Sequence, residues 1–239
     1  MNDMKTAIVT GASSGIGLKI TEMLLKLNYQ VYGFGRNFEE NSITNNNYHP
    51  VTCDITNVSQ LTEYIKDIQR QAEIQLLVNN AGVGYFGPHE ELNQKKIHEM
   101  VSVNVEVPML LSQLLLRDLK KHKGSIINIS SVTAGKSNTH GCAYGATKAA
   151  LTSFSASLFD EVRKYGVRVC TIHPDMTKSN FYRNADFREG ETPDTYLLPE
   201  EVADAVQMMI TGREGLVVTE ITLKPQLHRI QKINDRRKS

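Results

Sequence analysis

The stretch Thr6-Ala-Ile-Val-Thr10-Gly11-Ala12-Ser13-Ser14-Gly15-Ile16-Gly17 decides how the chain is read. Thr6–Thr10 is a short run of β-branched and apolar residues, the mark of a buried strand, and Ile16, Ile20, Leu24 and Leu27 then recur at helical spacing. Between them lie three glycines. Gly11 permits a tight turn, Gly15 lets backbone approach a bound group, and Gly17 lets a helix pack close to a strand. Strand, glycine-rich turn and helix together place free N–H groups and a helix dipole at one point, which favours an anion such as a phosphate. The spacing is GxxxGxG rather than GxGxxG.

Outward from this unit the rhythm repeats. Strands are expected at Gln30–Phe34, Val51–Cys53, Leu76–Asn79, Ser125–Ile129, Val167–Ile172 and Leu216–Ile221. Helices are expected where Val58, Leu61, Ile65 and Ile68 share a face, from about Gln94 to Lys120, from about Tyr144 to Lys164, and from Pro199, which suits a first helical position. Asparagine-rich Glu39–His49 and the segment Pro174–Leu197 read as loops. Apolar strands alternating with helices make a parallel sheet covered on both faces, with ligands at the carboxyl ends of its strands. The 239 residues suit one domain, 1–239, without linker or repeat.

Composition narrows the function. With 40% hydrophobic and 22% charged residues and a net charge of +1, the chain carries no field that calls for nucleic acid or an anionic membrane. The basic end, with Lys232, Arg236, Arg237 and Lys238, reads as a solvated terminus. Cys53, Cys142 and Cys170 form neither a disulfide framework nor a metal cluster, and a reducing cytoplasm fits them. No secretory signal is expected at the start, and no apolar run of bilayer-spanning length. His89, His98, His140 and His173 lack ligand spacing, so no metal is expected.

Polar residues gather where ligands should bind. Gly33-Phe34-Gly35-Arg36 closes the second strand. An acidic residue there would bond the ribose hydroxyls of NAD, whereas an arginine grips a 2′-phosphate. Arg36 therefore favours NADP(H), with NAD(H) kept open by nearby Glu39 and Glu40. Asn79-Asn80-Ala81-Gly82 closes one strand, Ser130-Ser131 follows another, and Asn104 lies in the helix between them. Tyr144 and Lys148 stand four apart on one helix face. A free tyrosine titrates near ~10, and a neighbouring ammonium lowers that value toward a working acid–base.

In TGASSGIG at Thr10, NNAG at Asn79, Asn104, the paired serines and YGATK at Tyr144, the chain resembles the short-chain dehydrogenase/reductase family from about Lys5 to its last strand. The resemblance implies a Rossmann-like doubly wound parallel α/β sheet of about seven strands. It implies an oxidoreductase moving a hydride between a nicotinamide dinucleotide and a small carbonyl or alcohol. Tyr144 resembles the proton donor and acceptor, Lys148 the residue that lowers its pKa and holds the nicotinamide ribose, and Ser131, rather than Ser130, the carbonyl-orienting serine. Asn104 resembles the residue that positions a water. Gly11, Ser13, Ser14, Gly15, Ile16 and Gly17 would hold the pyrophosphate, Asp54 and Ile55 the adenine, and Asn80, Ala81 and Gly82 the ribose. Pro174, Thr177 and Ser179 would approach the carboxamide, with Asp175 where the family carries glycine, and residues 178–197 would be a substrate lid.

The C-terminal Ile221–His228 departs from the glycine-rich end of many relatives, and a homodimer or homotetramer is expected. Two other readings compete: a non-catalytic NAD(P)-sensing regulator, which needs no proton donor, and a sugar-nucleotide epimerase or dehydratase, which needs a larger C-terminal substrate region.

Overall fold

Strand β1, Thr6–Thr10, has all five residues buried because both of its faces are covered. Ala7 and Val9 point into one apolar layer and Ile8 into the other, the period of two that a strand imposes. The computed structural model describes residues 4–39 and 41–232. Glu40 and the terminal Arg236, Arg237 and Lys238 lie outside the described residues.

From β1 the chain runs through α1 (Gly15–Lys26), β2 (Gln30–Gly35), β3 (Tyr48–Thr52), α2 (Val58–Gln71) and β4 (Ile74–Asn79). It continues through α3 (Gln94–Val101), α4 (Val107–Lys121), β5 (Ser125–Ile129), α5 (Cys142–Val162), β6 (Arg168–Pro174), β7 (Phe187–Glu189), α6 (Pro199–Thr211), β8 (Glu220–Leu223) and β9 (Ile230–Lys232). Seven strands form one parallel sheet in the order β3-β2-β1-β4-β5-β6-β8. The direction of winding reverses between β1 and β4, and a crevice opens at such a point beyond the strand ends.

Helices α1 and α6 cover one face, where Ile20, Leu24, Val202 and Val206 meet Ala7, Val9 and Val78. Helices α2, α4 and α5 cover the other, where Leu61, Ile65, Leu111, Leu115 and Leu158 meet Ile8, Leu77 and Ile126. This is the doubly wound α/β architecture expected.

Several boundaries differ. The third strand starts at Tyr48, not Val51, because Tyr48 and His49 pair with Val31 and Tyr32 of β2. The last parallel strand is Glu220–Leu223, not Leu216–Ile221, because β8 pairs only with Thr171–Pro174 of β6. The expected continuous helix from Gln94 is split by a π-helical turn, Ser102–Glu106. Taken together, Gln94–Lys121 is 28 residues and is long and apolar enough to cross a membrane, against the expectation that no segment reaches that length. In this fold its Leu111, Leu115 and Leu119 are fully buried against the sheet. The loop after β6 also contains β7, which pairs antiparallel with β9 to form a two-stranded ribbon outside the main sheet.

A Cβ at Gly17 would lie 2.1 Å from the Gly11 carbonyl oxygen and 2.5 Å from Asn80 Nδ2. Gly17→Ala is expected to cost about 2 kcal/mol through overpacking, lowering the melting temperature by about 5 °C. An unchanged thermal transition would show that α1 does not depend on this contact.

Candidate active site

The turn after β1 is built by backbone geometry. Gly11 and Gly15 have φ of +66° and +54°, a region that favours glycine. Ser14 caps α1 without a side-chain bond, so the first N–H groups of the helix face the crevice. The far wall is tied to this turn. Thr10 Oγ1 accepts from the Asn80 and Ala81 N–H groups, each at 3.0 Å. Asn80 Nδ2 donates to the Thr10 and Gly11 carbonyls at 2.9 and 3.2 Å. Sequence reading placed Asn80 beside a ribose and did not single out Thr10. In the structure these two side chains lock the ends of β1 and β4 together at the switch point.

A cleft of about 810 Å³ starts here and runs along the carboxyl edge of the sheet. Its lining includes Gly11, Ser13, Ser14, Gly15, Ile16, Arg36, Asp54, Ile55, Asn80, Ala81, Gly82, Ser131, Tyr144, Lys148, Pro174, Thr177 and Ser179. Gly17 and Asn104, of the residues singled out in the sequence, lie behind its wall.

At one end Arg36 is exposed just past β2. Asp54 accepts from the Thr56 hydroxyl at 2.7 Å and the Thr56 N–H at 3.0 Å, which hold its carboxyl below the usual range, with Arg36 adding to the effect. Glu39 is turned toward Asn37, whose side chain bonds its carboxylate and its N–H. The cleft also takes in Lys95 and Arg183, which the sequence did not single out, and His98, which it offered only as a histidine without ligand spacing; they come from α3 and from the segment after β6.

At the other end the polar side chains are buried and connected. The π-helical turn swings Asn104 inward, where it is 0% exposed. Its Oδ1 accepts from the Val83 N–H, and its Nδ2 donates to the Val83 carbonyl and to Thr147 Oγ1, at 2.9, 2.9 and 3.0 Å. Thr147 in turn donates to the Tyr144 carbonyl at 2.7 Å. Thr147 went unnoticed in the sequence, where it is one more small residue of YGATK.

Lys148 Nζ donates to the Ile129 carbonyl at 2.8 Å and lies 5.8 Å from the centre of the Tyr144 ring. The two serines separate by partner. Ser130 Oγ donates to the Lys148 carbonyl and contacts Thr152, whereas Ser131 Oγ accepts from the Thr133 N–H and hydroxyl. Asn79 continues a second buried chain through Asn128 to Ser155.

Aromatic rings close over this group. Phe86 and Phe181 pack on Tyr144 with ring centres 5.4 and 5.6 Å away, and Tyr182 and Phe187 extend the cluster. Burial pushes the Tyr144 phenol up, and the Ser131 hydroxyl only partly opposes it. This is the reverse of the lowering expected from Lys148, because here the phenol is cut off from water. Burial also pushes Lys148 down to about 8.

Asp175 fits without glycine's freedom, since its φ is not positive. It accepts from Thr177 Oγ1 through its carbonyl and from the Met176 N–H through its carboxylate. Ser179 Oγ accepts from the Phe181 N–H, and its Cβ faces Gly15, so it lies between the glycine turn and the Tyr144 ring cluster. Among the described residues no three His, Cys, Asp or Glu side chains cluster as metal ligands.

A doubly wound sheet with a glycine turn at its switch point and a buried Ser–Tyr–Lys–Asn group defines a dinucleotide-dependent oxidoreductase class. A family model described as short chain dehydrogenase matches residues 5–189. An uncharacterised oxidoreductase of Staphylococcus epidermidis is 32% identical over 92% of this chain and 97% of its own. Sorbitol-6-phosphate 2-dehydrogenase of Klebsiella pneumoniae is 33% identical over 77% and 73% respectively. An alcohol dehydrogenase from the archaeon Thermococcus sibiricus, complexed with 5-hydroxy-NADP, superposes with a TM-score of 0.83 at 25% identity, covering 95% of this chain and 99% of that one. The chain belongs to the short-chain dehydrogenase/reductase family of NAD(P)-dependent oxidoreductases.

Lys148 offers a direct check on the buried group. Its folded pKa of about 8 lies below the 10.5 of a free lysine, so the unfolded chain binds the extra proton between those values. Burying the cation therefore costs stability below pH 8, and the cost fades as pH rises toward 10.5. The stability of Lys148→Met relative to wild type should fall by about 3 kcal/mol across that window. Urea unfolding at several pH values measures it, and a difference that stays constant would mean the ammonium is not desolvated.

Proposed function

We propose that the chain is an NADP(H)-dependent reductase or dehydrogenase of small carbonyl compounds and secondary alcohols, with Tyr144 as proton donor and acceptor. The observation that carries this reading is the buried group at the far end of a cleft that begins at a helix N-terminus: Asn104, Thr147 and Tyr144 joined by hydrogen bonds, Ser131 at the Tyr144 hydroxyl, and Lys148 beside the ring. The cleft fits a dinucleotide by its donor set. Backbone N–H groups and positive-φ glycines suit the pyrophosphate, and Asp54 and Ile55 suit an adenine. Exposed Arg36 suits a 2′-phosphate, and Lys148 and Gly82 suit the second ribose.

The chemistry a bound nicotinamide supplies is a hydride, taken up by the carbonyl carbon. The negative charge that develops on the carbonyl oxygen is met by hydrogen bonds from the Ser131 and Tyr144 hydroxyls. The Tyr144 O–H bond breaks as its proton passes to that oxygen, leaving an alcohol and a phenolate. Burial alone raises the Tyr144 pKa and makes the phenol a weaker acid, so in this reading the Lys148 charge beside the ring is what brings it back toward a working acid and base. The Lys148 ammonium stabilises the phenolate, and Asn104 fixes the helix position from which both project. Oxidation runs the same steps backward.

In this reading residues 178–197 are the substrate lid, residues 1–239 act as one unit, and a homodimer or homotetramer works in the cytoplasm.

Tyr144→Phe should reduce turnover of a reducible carbonyl by at least about a thousandfold while NADPH affinity stays within a few-fold. Turnover near wild type would remove Tyr144 as the proton donor. Arg36→Ala should weaken NADPH by on the order of tenfold, the loss of a charge-assisted contact, and leave NADH almost unaffected. Equal losses, read from nicotinamide fluorescence titrations, would mean Arg36 does not select the 2′-phosphate.

A further inference from the structure

The lid places one of its own side chains at the end of the cleft where the proposed nicotinamide riboside belongs. A short 3₁₀ turn, Asn180–Asn184, carries Phe181 inward. The Phe181 ring edge lies 3.7 Å from the point where a Cβ on Gly82 would project, and Lys148 Nζ lies 3.5 Å from the same point. Its tip is 3.1 Å from the equivalent point on Gly84. The ring also packs on Tyr144. With Phe181 and Phe86 packed on it, Tyr144 is only 7% exposed, and Lys148 beside it is 3% exposed, although the mechanism asks both to touch other molecules.

The turn is held in this position from two sides. Below it, Ser179 Oγ accepts from the Phe181 N–H. Beyond it, β7 is zipped to β9 at Phe187, Arg188 and Glu189. Arg188 Nε donates to Gln231, and the Leu227 N–H donates to the Asp194 carbonyl. Phe187 then backs the ring cluster against Phe86 and Tyr182.

We propose that Phe181 is a resident occupant of the nicotinamide end of the cleft, and that a dinucleotide binds fully only by expelling it. Lid opening is thereby coupled to the nicotinamide half of the cofactor, while the adenosine half binds without that cost. The proposal rests on the reading of the cleft as a dinucleotide site. Its physical content is linkage: where the competent state is a minor one, apparent affinity is reduced by its population. Removing the occupant lifts that reduction for ligands that reach Lys148 and leaves it unchanged for ligands that stop at the pyrophosphate.

The test compares NADPH and NADH with 2′,5′-ADP and ADP, binding to wild type and to Phe181→Ala by calorimetry. The tighter-binding dinucleotide should gain on the order of tenfold in affinity in the variant, and the adenosine fragments should not change. Dinucleotide affinity that is unchanged or weaker, or an equal gain for the fragments, overturns the proposal while leaving the dinucleotide site intact. Failure of every one of these ligands to bind either protein overturns the reading of the cleft and the proposal with it. The sequence has no tryptophan, so Phe181→Trp gives a lone reporter. Its emission should shift to the red when NADP⁺ or NAD⁺ saturates the protein and stay unshifted with 2′,5′-ADP or ADP. An emission maximum unmoved by a bound dinucleotide also overturns the proposal.

Discussion

The contact between Gly17 and the Gly11 carbonyl is so close that no side chain fits between them. Because of it, the first turn of α1 stands directly over the end of β1, and its free N–H groups face the crevice between β1 and β4. Thr10 and Asn80 then bond across that crevice and fix its width. Every residue proposed to hold a dinucleotide is measured from this corner. In the proposed reading the adenosine half would lie past β2 and β3, and the nicotinamide half past β4 and β5. The parallel sheet delivers all of these strand ends to one edge without any further device.

The far end of the cleft depends on a different constraint, the burial of an ammonium that has no acidic partner beside it among the described residues. Lys148 donates to a single carbonyl, on Ile129, and burial alone depresses its pKa. Such a group weakens the folded state and is the kind of cost that proteins carry at functional positions. The π-helical turn at Asn104 belongs to the same compromise. It breaks a regular helix so that one amide side chain can satisfy both backbone groups of Val83 and brace Thr147 beneath the tyrosine.

Much of the fold was legible because the buried strands are short apolar runs bounded by glycine and asparagine. The helices between them repeat apolar residues three and four apart. The cleft was legible because its residues sit at strand ends, where spacing in sequence becomes spacing along one edge. What escaped is non-local or depends on a single inserted residue. The sequence Val101, Val103, Val105, Val107 alternates in a way that helical periodicity does not resolve into a π turn. Phe187–Glu189 and Ile230–Lys232 are three residues each, and neither reads as a strand until it meets the other. The direction of the Tyr144 shift was misread for a related reason. A Tyr-x-x-x-Lys pair on a helix implies an ammonium near a phenol. The sequence does not say that Phe86 and Phe181 will exclude water from both.

Titration of the unmodified protein with NADPH and NADH, followed by nicotinamide fluorescence, tests the central claim most directly. A glycine turn, Arg36 and Lys148 arranged along one cleft predict saturable binding at one dinucleotide per chain, tighter for NADPH. Emission that stays that of the free cofactors, for both and up to millimolar concentration, would contradict it.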